Sequence, residues 1–170
     1  ERMGQASAAL RYEDAGRIRD SILLLQRIAA KKGVKARDRQ EKDVLALHRE
    51  GELAAVALLP VREGRLHEVR AFAFRGVAEE DDRLLDRVIS QLYSETSPPP
   101  PEILVPIELA DARIRAELLS ELAGRKVQIK RPQRGPNREL IETAASNAKV
   151  RFDAAHSRSQ RAEQSLFALK

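Results

Sequence analysis

Leu53-Ala-Ala-Val-Ala-Leu-Leu59, bounded by Gly51 and Pro60, is a continuous apolar run of the length of a strand. Alternation with polar residues is absent, as expected for a strand covered on both sheet faces. It decides the fold class, because a buried central strand puts a sheet at the heart of the fold. Upstream, Val44, Leu45 and Leu47 open another apolar segment. Downstream, Glu63-Gly64 marks a turn before Val69-Arg70-Ala71-Phe72-Ala73-Phe74. Three successive strands with short turns predict an antiparallel meander.

After the meander the period changes. Leu84, Leu85, Val88, Ile89 and Leu92 recur at helical spacing over 80–94, with Asp81 and Asp82 placed to favour a helix start. Pro98 to Pro101 is an extended connector. Glu102 to Leu109 reads as a fourth strand with Pro106 at an end or edge, and Asp111 to Ala123 as a helix closed by Gly124. Lys126 to Arg131 reads as a short strand, and Pro136-Asn137 starts a last helix. The order β-β-β-α-β-α-β-α is used by ribonuclease H-like folds, and by other mixed α/β folds too.

Residues 1–32 read as two short helices. Ala15, Ile18, Ile22 and Leu25 form an apolar stripe on the second. Helices this short are marginal in water alone, so the pair is expected to need a partner surface. Residues 31–42 (KKGVKARDRQEK) are a charged run around Gly33. The domains expected are therefore a hairpin over 1–35, a linker over 36–42, and a mixed α/β domain over 43–170 ending in a long helix.

Composition narrows the function classes. The 170 residues hold no Cys, which removes disulfides and thiolate metal sites. No apolar run approaches the roughly 20 residues of a membrane span, and no secretory signal is visible; a cytoplasmic location is expected. A first residue of Glu points to an excised piece of a longer chain. The net charge of +5 is uneven: residues 125–170 hold 11 Lys/Arg against 4 Asp/Glu, leaving the first 124 with 20 against 22. A basic half suits either phosphate backbones or simple solvation.

Two stretches are more specific than their periodicities. Met3, Ala6 and Leu10-Arg11-Tyr12-Glu13-Asp14-Ala15-Gly16-Arg17-Ile18-Arg19-Asp20, with Ile22 and Leu25, resemble the UVR motif, a helical hairpin that recurs in the excinuclease components UvrB and UvrC. Gly16 departs from the usual Ala, at a helix cost of up to about 1 kcal/mol. Asp43-Val44-Leu45-Ala46-Leu47, Gln91-Leu92-Tyr93 and Pro101-Glu102-Ile103-Leu104-Val105-Pro106 follow. Gly124-Arg125-Lys126-Val127-Gln128-Ile129, Pro132-Gln133-Arg134-Gly135 and Asn147-Ala148 complete the series. In this order they look like the region after the UVR motif in the UvrC family.

The resemblance implies a nucleotide excision repair endonuclease and a central, non-catalytic position in it. In that family an N-terminal GIY-YIG nuclease makes the 3′ incision. A C-terminal ribonuclease H-like nuclease, followed by helix-hairpin-helix motifs, makes the 5′ one. None of these lies in the 170 residues. The implied partners are the C-terminal UVR hairpin of the excinuclease component UvrB and damaged duplex DNA. Leu10, Tyr12, Glu13, Ala15, Arg19 and Ile22 are the candidate partner-binding residues, with Tyr12 as the anchor because an aromatic offers large contact area at low entropy cost. The competing reading places Tyr12 in an internal cluster with Leu10 and Ala15.

Lys126, Lys130, Arg131, Arg134 and Arg138 are the candidate nucleic-acid contacts, with no acidic residue between Gly124 and Glu139. Pro132 and Gly135-Pro136 put them on a constrained loop before a helix start, where free N–H groups and arginines suit phosphate. Packing against a neighbouring domain is the alternative. A metal-dependent nuclease is the rival function, and it needs converging carboxylates. Asp43 and Glu52 are expected at strand ends, Glu68 inside the third strand, and Glu102 and Glu108 flanking the fourth. His48, His67 and His156 are scattered, and no Gly-rich phosphate loop is present. No catalytic residue, metal or cofactor is therefore assigned.

Overall fold

The computed structural model describes residues 40–168. The hairpin over 1–35, with Leu10, Tyr12, Glu13, Ala15, Arg19 and Ile22, and linker positions 36–39 lie outside the described residues.

Strand β1 (Lys42–Glu50) turns through Gly51-Glu52 into β2 (Leu53–Arg62). The apolar run Leu53–Leu59 is the heart of β2, and Ala54 to Leu59 are fully buried. Glu63 and Gly64 both take positive φ, 51° and 73°. That pairing of left-handed residues is what a two-residue hairpin turn requires. It leads into β3 (Arg65–Leu66), a two-residue strand, and then β4 (Arg70–Phe74). The expected third strand is thus β4, and β3 is an extra rung made by the tight turn.

Helix α1 (Asp81–Leu92) follows, then β5 (Glu102–Leu104), α2 (Ala112–Ala123), β6 (Gln128–Lys130) and α3 (Pro136–Ala168). Strand β5 is much shorter than the expected Glu102–Leu109. The Pro106 ring has no N–H to give, so the ladder stops. Gly124 caps α2 with φ 65°, its N–H and that of Arg125 reaching back to the last turn.

The strands form one mixed sheet in the order β3-β2-β1-β5-β6, with β4 also on β2. Strands β1, β2 and β4 run antiparallel, while β5 and β6 run parallel to β1. Leu45, Val56, Leu58 and Ile103 point to one face, covered by α1 through Leu84, Leu85, Val88 and Ile89 and by α2 through Leu119. Val44, Ala46, Leu59, Val61 and Leu104 point to the other, covered by Ile141 and Ala144 of α3. Each fully buried Leu or Ile contributes about 1.5–3 kcal/mol by leaving water. The result is the mixed α/β, ribonuclease H-like architecture expected from the element order.

Candidate functional site

Strand periodicity puts Asp43 on the α1 face, one step before Leu45. Helix α1 ends at Tyr93, whose extended backbone (φ −115°, ψ 141°) turns the ring inward under the sheet. Its hydroxyl donates to Asp43 Oδ2 at 2.7 Å, fifty residues away in sequence. Arg62 Nη1 lies 2.8 Å from Asp43 Oδ1, but its N–H bonds are aimed at the carbonyls of Lys42 and Val61, both at 3.0 Å. The contact with Oδ1 is therefore ionic rather than a well-directed hydrogen bond. Burial, then the charge of Asp43 and the bond to it, push the Tyr93 pKa well above the ordinary phenol value. Tyr93 therefore remains a donor across the neutral range, and Asp43, 3% exposed, ties β1 to the end of α1.

The other carboxylates do not join Asp43. Glu102 is equally buried but points to the opposite face, where Lys130 Nζ pairs with its Oε2 at 3.0 Å. Glu52 is exposed in the β1–β2 turn, and Glu108 in the loop after β5. Glu68, expected inside the third strand, lies in the exposed loop between β3 and β4, because that hairpin spends its first rung on Arg65 and Leu66. Among the described residues no group of three or more His, Cys, Asp or Glu could hold a metal ion.

Two of the scattered histidines meet. His48 packs edge-on against Phe152 at 4.8 Å and His156 stacks on the same ring at 5.9 Å. Only the course of α3 over β1 brings them together. His67 stays exposed.

The basic stretch divides by partner. Lys130 is held by Glu102, and Arg138 lies 3.6 Å from Glu142 one turn on. Lys126, Arg131 and Arg134 are exposed and, among the described residues, lack a carboxylate partner. The helix start offers less to an anion than its sequence promised. Gly135 (φ 79°) lets its own carbonyl accept the N–H groups of Arg138 and Glu139 at 3.0 and 3.2 Å. Pro136 has none to give. Any phosphate contact thus falls to the three free side chains.

Comparison with known proteins gives a consistent outcome. Residues 41–155 match the family model described as the UvrC Ribonuclease H-like domain. Residues 1–28 match the UvrB/uvrC motif. UvrABC system protein C of an Anaeromyxobacter species is 41% identical over 168 residues, 99% of this chain and 23% of that one. The protein of the same name in Geobacter metallireducens is 36% identical over 170 residues, 100% of this chain and 27% of that one. The chain spans about a quarter of the length of these curated relatives. Among solved structures, ribonuclease H2 from Pyrococcus horikoshii OT3 aligns at 12% identity and a TM-score of 0.47. That alignment covers 70% of this chain and 76% of the other, a likeness too distant to bear on the topology.

Proposed function

The chain belongs to the UvrC family, by the match of residues 41–155 to the model described as the UvrC Ribonuclease H-like domain, and on that premise we propose that this domain is distinct from the C-terminal ribonuclease H-like nuclease and is the non-catalytic centre of the nucleotide excision repair endonuclease. Residues 1–35, which include the UvrB/uvrC motif match, bind UvrB, residues 36–42 link them to the rest, and residues 43–170 scaffold the flanking incision nucleases. Lys126, Arg131 and Arg134 are the basic residues left for sequence-independent contact with duplex backbone. The setting is the cytoplasm; among the described residues no helix is long and apolar enough to cross a membrane.

The observation that carries the non-catalytic reading is the state of Asp43. A carboxylate that serves metal chemistry needs lone pairs free and other acids beside it. Asp43 gives Oδ2 to the Tyr93 hydroxyl and holds Oδ1, which accepts no hydrogen bond, against the Arg62 guanidinium, and no second acid stands beside it, since Glu102 lies on the opposite face. The binding reading is supported by the UvrB/uvrC motif match over residues 1–28, which spans Tyr12, Glu13 and Arg19.

The binding test titrates the chain against the C-terminal hairpin of UvrB. Saturable binding is expected, and Tyr12→Ala should cost about 2 kcal/mol, the size of an interface hot spot, or roughly 30-fold in affinity. Absence of binding, or a Tyr12→Ala variant that binds like wild type, would remove the recruitment role.

A further inference from the structure

We propose that the open edge of the sheet, β6 with the cleft beside α2, is a docking site for an extended acidic polypeptide segment that adds to β6 as one more strand. Strand β6 ends the sheet order. Gln128 N–H bonds to the Pro101 carbonyl at 2.9 Å and the Lys130 carbonyl accepts from Val105 N–H at 2.9 Å, so both residues face β5. Strand alternation then turns the N–H and C=O of Ile129 outward. Upstream, Val127 N–H is taken by Ser120 Oγ at 2.9 Å, which closes the edge there and, among the described residues, leaves it open from Ile129 onward.

A cleft of about 630 Å³ lies along this edge. Ala112 and Ala116 of α2, with Val127 and Ile129, give it an apolar lining. Its two rims differ in sign. Glu117 and Glu121 stand on the α2 side, Glu117 holding Arg113 at 3.1 Å, while Lys126 stands on the β6 side and Arg131 follows the strand, Lys130 between them being held by Glu102 on the other face.

Charge and backbone separate the competing occupants. A second copy of the edge would set Lys126 and Arg131 against themselves, and lysines on an edge discourage such pairing. A nucleic acid lying in the cleft carries phosphates along its whole backbone and cannot keep them from Glu117 and Glu121, whereas a strand can turn its acidic side chains away from α2, and nucleic acid has no peptide groups for Ile129. An extended peptide supplies both halves of the match. Its main chain completes the ladder and its alternate side chains give selectivity. Acidic residues meet the β6 rim, and an apolar residue between them covers Ala112, Ala116 and Ile129.

The test uses the 170-residue chain and a fluorescein-labelled heptapeptide of alternating Glu and Val, read by anisotropy. Saturable binding is expected. It should weaken at least about tenfold when alternate peptide nitrogens are methylated, and by a similar factor for a Lys/Val peptide. Ile129→Pro should weaken binding likewise, since proline is tolerated on an edge whose N–H faces outward; circular dichroism checks its fold, and the methylated peptide carries the test if that variant does not fold. Equal binding of the methylated peptide would overturn strand addition, and equal binding of the Lys/Val peptide would overturn the acidic preference. No saturation up to millimolar peptide would overturn the proposal outright, as would a short DNA duplex whose binding is weakened by Ile129→Pro, which would put nucleic acid in the cleft instead of a peptide. None of these readouts involves UvrB, so their failure leaves the recruitment role standing.

Discussion

On the α1 face of the sheet, Leu45, Val56, Leu58 and Ile103 interlock with Leu84, Leu85, Val88 and Ile89. On the α3 face, Val44, Leu59, Val61 and Leu104 pack with Ile141, while Ala46, Ala55 and Ala57 of the central strands are buried beneath a helix whose own buried positions include Ala144 and Ala148. Large side chains fill the space under two separate helices, whereas under the single long helix they give way in the middle of β1 and β2 to small ones that let it lie close. The leucine and alanine positions of the two faces should therefore fail under opposite substitutions.

The largest expected effect is on the leucine-rich face. Leu58→Ala leaves a cavity between β2 and α1, and should lower unfolding free energy by about 2–5 kcal/mol, read as a shift of the urea midpoint. Tyr93→Phe removes the directed hydrogen bond to buried Asp43 and should cost about 1.5–3 kcal/mol. This variant has a second signature. The folded state holds the Tyr93 proton more tightly than the unfolded chain, so its contribution is full below about pH 10, the unfolded phenol value. It is lost as the pH rises beyond that point. Wild-type stability should therefore fall more steeply above about pH 10 than that of Tyr93→Phe.

On the alanine-rich face the opposite change is the damaging one. Ala57→Leu should cost about 1–3 kcal/mol by overpacking against α3, while Ala57→Gly, which makes almost no cavity, should do less harm than Leu58→Ala. The smallest effect belongs to the rim. Gly124→Ala forces a Cβ into a left-handed cap with open space around it, so the cost is backbone strain alone, about 1 kcal/mol.

Most of this fold is legible in the sequence because its signals are local. The apolar run of β2, the Glu63-Gly64 turn, the period of α1 and the Gly124 cap each need only a few neighbouring residues. Pro106 carries the signal that shortens β5, yet how far a ladder extends depends on its partner strand. The sites are less legible for the same physical reason. Asp43 stands beside an apolar strand in the sequence, but its partners Tyr93 and Arg62 arrive through the return of α1 and the β1–β2 register. Nor does charge counting show that Glu102, across the sheet, will take Lys130 and that Glu142 will lie beside Arg138, leaving Lys126, Arg131 and Arg134 for other work.

A segment that positions nucleases without cutting should be inert toward DNA even when metal is supplied. Incubation of the chain with nicked or damaged duplex and Mg²⁺ or Mn²⁺ tests this most directly. The duplex should stay intact, with wild type and Asp43→Asn indistinguishable. Metal-dependent cleavage that disappears in Asp43→Asn would contradict a purely positioning role.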